Sequence, residues 1–264
     1  CGMKIGFLIN YFYPFLGGAE SNCYYLAKEL VHMGHEVHVF TTDRKDGNIL
    51  KKNEVVDGII VHRSKVLFRH RYYLTFAPGL LFNVFKYKLD ILHVHAFGFA
   101  YHDFVVLMKR LFSKTRLVNT PHGPFMALNS YTKTQFIFKK IFEFMEKPVN
   151  CIYDIVVQVN PYQESWLKEK GIKKVVLMPN GINEGAFDTI KGFDKYKNKF
   201  VIVYIGRIQK YKGLDQVIKV LPNLNKKVFF IAIGEDAGDR NRLTKLCQEL
   251  KVSDMVLFTG RVSE

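Results

Sequence analysis

The chain has no apolar run long enough to cross a membrane. Of its 264 residues 48% are apolar, yet no run reaches the roughly 18 residues that a spanning helix needs. The residues from Met3 onward pass directly into a strand pattern without a cleavage site, which predicts no export signal. We therefore expect a soluble globular protein.

Cysteine is scarce, and its spacing argues against both a cysteine metal site and a disulfide framework. Cys23, Cys151 and Cys247 are scattered, with neither metal-ligand spacing nor an even disulfide framework. Buried free thiols in a reducing compartment are the expectation, which places the protein in the cytoplasm. No cluster of His, Asp or Glu has the spacing of a dedicated metal site either, so we predict none.

Negative charge is in short supply. The chain has 39 Lys and Arg residues against 24 Asp and Glu, a formal net charge of +15. This excess favours acidic partners: nucleic acid, anionic lipid or a phosphorylated substrate. A nucleic-acid-binding module stays open on charge alone, but the sequence has no helix-turn-helix signal, zinc spacing or aromatic and basic RNA-binding strand. We therefore expect no nucleic acid partner.

One segment combines cations with aromatic rings. From Arg63 to Lys88 there are six Lys or Arg, no acidic residue and seven aromatic residues. Such a surface suits an anionic membrane, because cations meet the lipid charge and rings settle at the interface. The alternative is that most rings are core and the cations a solvated face. On the first reading, the protein is peripheral at the inner face of the cell membrane, and Arg69→Glu with Arg71→Glu should weaken attachment.

The first two thirds of the chain alternate between strand and helix patterns. Lys4 to Asn10 reads as a strand, Ala19 to Met33 as an amphipathic helix ended by Gly34, and Glu36 to Thr42 as a second strand. Further apolar runs continue the alternation at Ile59–His62, Ile91–His95, Leu117–Thr120, Ile155–Val159 and Val175–Met178. This predicts a doubly wound, Rossmann-like α/β domain over residues 3–190.

A second α/β domain is predicted over residues 199–264. A polar stretch follows the turn signal Asn180-Gly181, after which the rhythm of strands and helices restarts. The predicted elements are strand Phe200–Ile205, helix Leu214–Leu221, strand Val228–Ile233, helix Arg240–Leu250 and strand Met255–Phe258. About 65 residues is short for such a domain, which commonly needs roughly 100. We expect an incomplete domain.

The junction after Phe200–Ile205 has the chemistry of a phosphate site. Gly206 ends a buried strand without a side chain, Arg207 can hold two phosphate oxygens, and Lys212 adds a mobile point charge. A helix beginning near Lys212 would add free N–H groups and the positive end of its dipole. The plainer alternative is a pair of solvated cations beside an ordinary turn.

Gly17 and Gly18 follow the first strand and precede a helix. Their backbone could approach a diphosphate or an acceptor closely, or form a plain turn. The pattern lacks the Gly-x-Gly-x-x-Gly of a dinucleotide site, although Asp43 could imitate its ribose-binding acid. A dehydrogenase is therefore disfavoured. Glu20 suits favourable interaction with the helix dipole.

His122 lies in the loop that follows the strand ending at Thr120. This loop falls at the carboxyl edge of the predicted sheet, where α/β proteins bind ligands. His93 and His95 alternate along the preceding strand and should share one face of the sheet. They could be core histidines, and His95 is the better candidate for a site because it lies nearer the strand end.

Several short motifs occur together in a specific order. They are Gly17-Gly18-Ala19-Glu20, Gly34-His35-Glu36-Val37, Asp90-Ile91-Leu92-His93-Val94-His95, Pro121-His122-Gly123, Pro179-Asn180-Gly181-Ile182-Asn183, Gly206-Arg207, Lys212-Gly213, Gly234-Glu235 and Phe258-Thr259-Gly260. In this order the chain, from Met3 to its last residues, resembles the family 4 glycosyltransferases of GT-B architecture. The resemblance implies two Rossmann-like domains facing a cleft.

The resemblance implies a retaining glycosyltransferase. Such enzymes move a sugar, typically a hexose, from a nucleotide-diphosphate-sugar donor such as a UDP- or GDP-sugar to a saccharide or lipid-linked acceptor. The donor would lie mainly on the second domain, with Arg207 and Lys212 stabilising the leaving diphosphate without metal or other cofactor. His122 would face the donor sugar, with a role in sugar binding and a supporting role in catalysis. Gly234 and Glu235 would lie near the donor. A GT-B enzyme that isomerises or hydrolyses a nucleotide sugar is the nearest alternative.

One element of the family pattern is missing from the sequence. The Glu-x7-Glu motif, which in this family holds the donor sugar and the ribose, would lie beyond Glu264. The chain therefore looks like a truncated enzyme. We expect it to be poorly active or inactive by itself.

Overall fold

The computed structural model describes residues 2–15, 17–45, 47–70, 74–95, 100–122, 133–181, 196, 198–224 and 227–262. The chain divides into two compact units, Cys1–Asn183 and Glu184–Glu264. We call them unit 1 and unit 2.

Unit 1 is an α/β unit built on one large sheet. Its helices are α1 (Gly18–His32), α2 (Gly79–Lys86), α3 (Ala100–Phe112), α4 (Lys133–Asn150) and α5 (Glu164–Glu169). Its strands are β1 (Lys4–Leu8), β2 (Glu36–Thr42), β3 (Arg44–Lys45), β4 (Asn48–Ile49), β5 (Asn53–Val56), β6 (Ile59–Ser64), β7 (Phe68–His70), β8 (Leu74–Phe76), β9 (Ile91–Val94), β10 (Arg116–Asn119), β11 (Ile155–Gln158) and β12 (Val175–Leu177). Every apolar run predicted to be a strand in this unit lies on one.

The large sheet has the order β12-β11-β10-β9-β1-β2-β6-β5. All neighbouring pairs are parallel except β5 with β6. The chain moves outward from β1 in one direction through β2 and β6, then in the other direction through β9 and β10. The strand order therefore reverses between β1 and β9, and in sheets of this kind ligands bind at the carboxyl ends of the strands beside that point.

Each face of the central strands buries its own apolar cluster. On one face, α1 packs through Cys23 and Ala27 against Val39 and Val61. On the other face, Leu80 and Val84 of α2 and Val105 of α3 join a cluster with Phe40 and Leu92. Burying both faces explains why these strands are near-continuous apolar runs.

Unit 2 contains a three-stranded parallel sheet with the order β13-β14-β15. Its strands are β13 (Phe200–Ile205), β14 (Val228–Ile233) and β15 (Val256–Gly260), and its helices are α6 (Leu214–Val220) and α7 (Arg240–Glu249). The predicted bounds of β13 and β14 are confirmed. Leu214 and Ile218 of α6 and Leu243 of α7 pack on the sheet, whereas Val203 and Ile205 are exposed.

The cysteine prediction is partly wrong. Cys23 and Cys247 are buried free thiols, but Cys151 is exposed. Cys151 directly follows α4, where the chain turns before β11, so its side chain reaches solvent although its Sγ lies 3.7 Å from the carbonyl oxygen of Gly171.

Candidate functional site

Three glycines lie at the carboxyl edge of the unit 2 sheet. Gly206 and Gly234 follow β13 and β14, Gly260 ends β15, and their φ angles are +150°, +144° and +72°. The N–H of Gly206 donates to Ile233 (2.9 Å), and the N–H of Gly234 donates to Gly260 (2.9 Å). These positive φ angles favour glycine, and the three residues leave the strand ends free of side chains.

The approach of Gly234 to Gly206 is too close for any side chain. A Cβ atom on Gly234 would lie 2.1 Å from the carbonyl oxygen of Gly206. We expect Gly234→Ala to lower the unfolding free energy of unit 2 by at least about 2 kcal/mol, because the clash with backbone adds to the strain of a positive φ. Gly238→Ala is the matched control: its φ is also positive (+98°), but nothing lies within 4 Å of a Cβ there. Equal losses in urea unfolding of the two variants would contradict the role of the close approach.

Arg207 combines a fixed backbone with an unengaged guanidinium. Its carbonyl oxygen accepts a hydrogen bond from the Tyr204 hydroxyl (2.9 Å), and the next N–H, that of Ile208, donates to the carbonyl oxygen of Glu235 (2.8 Å). The side chain is exposed and makes no hydrogen bond or ion pair with the described residues. A ligand at this edge would therefore meet a cation that need not leave another partner.

Lys212 lies before α6 and not on it. It ends a 3-10 turn, Lys210–Lys212, and Gly213, with φ +71°, separates that turn from α6. The predicted start of the helix at Leu214 is confirmed, and Lys212 precedes it because the turn must finish through a left-handed glycine before the helix can start. The Lys212 ammonium lies 5.0 Å from the centre of the Tyr211 ring and is exposed.

Glu235 is exposed beside Gly234, but its neighbour Asp236 has a clear structural task. One Asp236 oxygen accepts hydrogen bonds from the N–H groups of Gly238 (2.9 Å), Asp239 (3.1 Å) and Arg240 (3.2 Å), at the start of α7. These bonds, the Arg240 one first, lower the pKa of Asp236. The N-terminus of α7 is thus satisfied by a carboxylate of the chain. Sequence reasoning did not single out Asp236, although an Asp shortly before a helix is a capping signal.

In unit 1, Gly17 and Gly18 differ in how open they are. A Cβ on Gly17 would lie 2.6 Å from a Glu20 carboxylate oxygen, whereas one on Gly18 would meet nothing within 4 Å. Glu20 is in the first turn of α1 and 7% exposed. The carboxylate therefore occupies the space where a side chain at position 17 would lie, while both glycines remain exposed.

Histidines gather at the switch point of the unit 1 sheet. His95 follows β9 and His122 follows β10, and Nδ1 of His95 lies 2.9 Å from Nε2 of His122. His93 Nε2 lies 2.7 Å from the Thr120 hydroxyl, and the rings of His93 and His95 lie 4.4 Å apart. Both rings also contact that of Phe7, so they share one face of the sheet as predicted.

Burial keeps these imidazoles neutral. It lowers the pKa of His122 to about 4 and that of His93 to about 3, with the His122 charge as a second cause for His93. The pKa of His95 lies well below its usual value, through burial first and then through His93 and His122. At neutral pH each ring carries one proton.

His122 has a left-handed backbone, with φ +51°. This conformation costs an ordinary L-residue roughly 1–2 kcal/mol, and glycine escapes that cost. We expect His122→Gly to unfold at a urea concentration higher than His122→Ala does, by the equivalent of about 1 kcal/mol, because both lose the ring but only alanine keeps the strain. Equal stability of the two variants would show that the left-handed conformation does not persist without the ring.

The predicted residues fall into two groups. In unit 2, hydrogen bonds between the segments after β13 and β14 bring Gly206 and Arg207 beside Gly234 and Glu235. In unit 1, the rings of His122 and His95 lie within hydrogen-bond distance of each other. Within the described part of the chain, no group of three or more His, Cys, Asp or Glu side chains is placed to hold a metal ion.

Known proteins share both the fold and the sequence pattern. The solved structure of an Anabaena protein, HepE, in complex with UDP-glucose superposes with a TM-score of 0.69 at 18% identity, over 99% of this chain and 70% of that one. The fold is that of the GT-B glycosyltransferases.

The sequence places the chain within a family of that class. Residues 16–185 match the model of Glycosyltransferase Family 4, and residues 187–264 match that of glycosyl transferases group 1. The chain belongs to glycosyltransferase family 4.

Two relatives illustrate the range of the family. An uncharacterized glycosyltransferase of Methanocaldococcus jannaschii is 24% identical over 98% of this chain and 70% of its own length. The gpi3 subunit of phosphatidylinositol N-acetylglucosaminyltransferase from Schizosaccharomyces pombe is 25% identical over 96% of this chain. The chain spans 55% of the length of that second relative.

Proposed function

We propose that the protein transfers a sugar from a nucleoside-diphosphate-sugar donor, with retention at the anomeric carbon. The observation that carries the proposal is the strand edge of unit 2. There the close packing of Gly206 and Gly234 brings together the segments that follow β13 and β14, and the first of these segments carries the exposed cations of Arg207 and Lys212. The complex of HepE with UDP-glucose supports a donor of this class.

The chemistry of the leaving group fits this edge. When the sugar leaves, negative charge develops on the β-phosphate, and cations positioned there stabilise the transition state more than the ground state. Arg207 can hold two phosphate oxygens, and Lys212 can follow the charge as it grows. We assign no cofactor: the two side chains supply the charge, and added chelator should change the rate little.

Three measurements test the proposal. Calorimetry against UDP-glucose, GDP-mannose and related donors identifies the nucleotide. Product analysis with and without a saccharide or lipid-linked acceptor separates transfer from isomerisation or hydrolysis, since only transfer needs the acceptor. The anomeric configuration of the product tests retention. Binding of generic DNA, but of no nucleotide sugar, would overturn the proposal and restore the nucleic-acid alternative that the family membership disfavours.

We further propose that the acceptor is lipid-linked and that the Arg63–Lys88 segment touches an anionic membrane. Phe68, Phe76 and Phe82 are exposed, so these rings are not core, and Lys86 and Lys88 are exposed near Phe82. The relative from Schizosaccharomyces pombe bears the name of an enzyme that acts on a phospholipid. None of the described helices is long and apolar enough to span a bilayer.

Two other cations of the segment are structural. Arg63 is 1% exposed and its guanidinium bonds the carbonyl oxygens of Lys51 (3.0 Å) and Tyr13 (2.6 Å). Arg69 donates to the carbonyl oxygen of Arg44 (2.7 Å) and to the Thr42 hydroxyl (2.9 Å). Arg69→Glu would break these hydrogen bonds, which hold β7 to Arg44 and Thr42. It would therefore change more than the surface charge, contrary to the expectation from the sequence. Arg71 lies outside the described residues.

Lys86→Glu with Lys88→Glu is the sharper test of membrane contact. Each cation near an anionic surface contributes about 1 kcal/mol, so the double reversal should weaken binding to anionic liposomes at least tenfold at low salt. Lys173→Glu with Lys174→Glu is the control, since it changes the net charge equally on exposed residues elsewhere in unit 1. Co-sedimentation with anionic and neutral vesicles measures both. Equal weakening by the two pairs, or equal binding to both vesicle types, would show that the Arg63–Lys88 segment adds only to the net charge and makes no specific membrane contact.

A further inference from the structure

His95 is a buried imidazole that contacts the candidate catalytic histidine directly. It is 2% exposed, and its backbone N–H donates to the carbonyl oxygen of Leu8 (2.9 Å), which fixes it between β9 and β1. Its ring lies 5.5 Å from that of Phe7 and 4.4 Å from that of His93. The ring therefore has a defined position at the switch point of the sheet.

The two ring nitrogens of His95 have different surroundings. Nδ1 lies 2.9 Å from Nε2 of His122, whereas Nε2 is buried and has no hydrogen-bond partner among the described residues. Because the ring is neutral, it carries a single proton on one of these two nitrogens. If the proton were on Nε2, a buried N–H would have no acceptor. A buried, unpaired N–H is rarer in proteins than an acceptor that lacks a donor, so the proton belongs on Nδ1.

This position of the proton determines the state of His122. A proton on His95 Nδ1 is donated to His122 Nε2, which must then be an acceptor. His122 is itself neutral at pH 7, so its own proton is on Nδ1. That second nitrogen has no partner among the described residues, and the ring is only partly buried.

We propose that His95 is a positioning residue that holds His122 in its neutral Nδ1–H form, so that the site presents a hydrogen-bond donor to its ligand. Combined with the proposed function, on which this part rests, the acceptor of that bond is a hydroxyl oxygen of the donor sugar. Histidine in water favours the opposite form, with the proton on Nε2. The left-handed backbone of His122 turns its ring toward His95 and completes the arrangement.

The first test reads the proton positions directly and needs no activity. The chain is labelled with ¹⁵N-histidine, and long-range ¹H–¹⁵N correlation spectra at pH 7.5 show which nitrogen of each ring is protonated. The His122 signals are assigned by their loss in His122→Asn. We expect Nδ1–H for both His95 and His122. An Nε2–H signal on His122 of the unmodified chain overturns the proposal.

Two variants separate positioning from a merely structural role. His95→Phe keeps a ring of similar shape without nitrogen, and His122 should then change to the Nε2–H form. His95→Asn places an amide donor near the former Nδ1 and should restore the Nδ1–H form. Fluorescence of Trp166, the single tryptophan, confirms folding of unit 1 in each variant. An unchanged His122 in folded His95→Phe overturns the proposal, as does a failure of folded His95→Asn to restore the form.

A binding measurement then tests the link to sugar. Calorimetry compares UDP-glucose with UDP, so that the contribution of the sugar is seen by itself. We expect His95→Phe to weaken UDP-glucose at least fivefold and to leave UDP unchanged, with His95→Asn close to the unmodified chain. Equal effects on UDP and UDP-glucose overturn the role in sugar binding. These titrations use a form of the protein that carries the Glu-x7-Glu motif. If neither compound binds that form, the proposed donor class is wrong, while the NMR result still decides what His95 does to His122.

Discussion

In a form of the protein that carries the Glu-x7-Glu motif, replacing Arg207 by alanine is expected to slow sugar transfer at least tenfold, and so is replacing Lys212. Each substitution removes a charge-assisted contact to the departing diphosphate, worth about 1.5–3 kcal/mol. Neither cation has an ion pair within the described residues, and the contact of Lys212 with the Tyr211 ring is between exposed side chains. The loss should therefore appear in the rate and not in the stability of unit 2.

Two further variants make this test specific. Lys245→Ala removes an exposed cation from α7, away from the glycine edge, and should leave transfer unchanged. Arg207→Lys keeps the charge but not the planar fork, so it should fall between the unmodified protein and Arg207→Ala. Initial rates with a saturating acceptor compare the four variants with the unmodified protein. Normal rates in both alanine variants, or complete loss of activity with chelator, would contradict stabilisation of the leaving group by these cations alone.

Unit 1 is expected to lose about 4 to 5 kcal/mol of unfolding free energy between pH 7 and pH 5.5. His62, His93, His95 and His102 are buried, and burial lowers the pKa of each, to about 4 in His62 and His102. Their unfolded forms take up protons near pH 6.5, so the unfolded state binds more protons and gains stability as the pH falls.

The sum follows from these shifts and one opposing group. Each of these four histidines, and His122 with its pKa of about 4, contributes about 1.2 kcal/mol of loss over this range, about 6 kcal/mol together. Burial raises the pKa of Asp103 to about 7. Because Asp103 therefore takes up a proton in the folded state over the same range, it stabilises the folded state by about 1.5 kcal/mol and offsets part of the loss. The pKa of Glu36 is lowered, chiefly by a hydrogen bond with His38, so its contribution is lost only at more acidic pH.

The chain provides its own control for this effect. All nine histidines lie in unit 1, and unit 2 has none. Trp166 also lies in unit 1, so its fluorescence follows that unit during urea unfolding. The Trp166 transition should move to lower urea between pH 7 and pH 5.5, by more than any transition of unit 2 seen by circular dichroism. An unchanged Trp166 midpoint would show that these histidines titrate normally in the folded protein.

The fold could be predicted from the sequence because buried segments consist mainly of apolar residues. Strands of a parallel sheet are mostly apolar because helices cover the sheet, so runs such as Ile91–His95 and Val228–Ile233 could be placed closely. Glycines with positive φ were equally visible, since Gly206 and Gly234 end such runs. The start of α6 at Leu214 was also placed correctly, because the glycine before it, Gly213, is a local signal.

The sequence by itself determined that this is an α/β chain with the motifs of family 4 glycosyltransferases, because strand periodicity, glycine turns and motif order are local properties. Only the tertiary structure decided the partners of each side chain. His95 and His122 are 27 residues apart, and only the pairing of β9 with β10 brings their rings within hydrogen-bond distance. From the sequence Arg69 was expected to be a surface cation, whereas in the structure its guanidinium donates a hydrogen bond to the Thr42 hydroxyl. Contacts between distant segments depend on strand order and register, which no local pattern specifies.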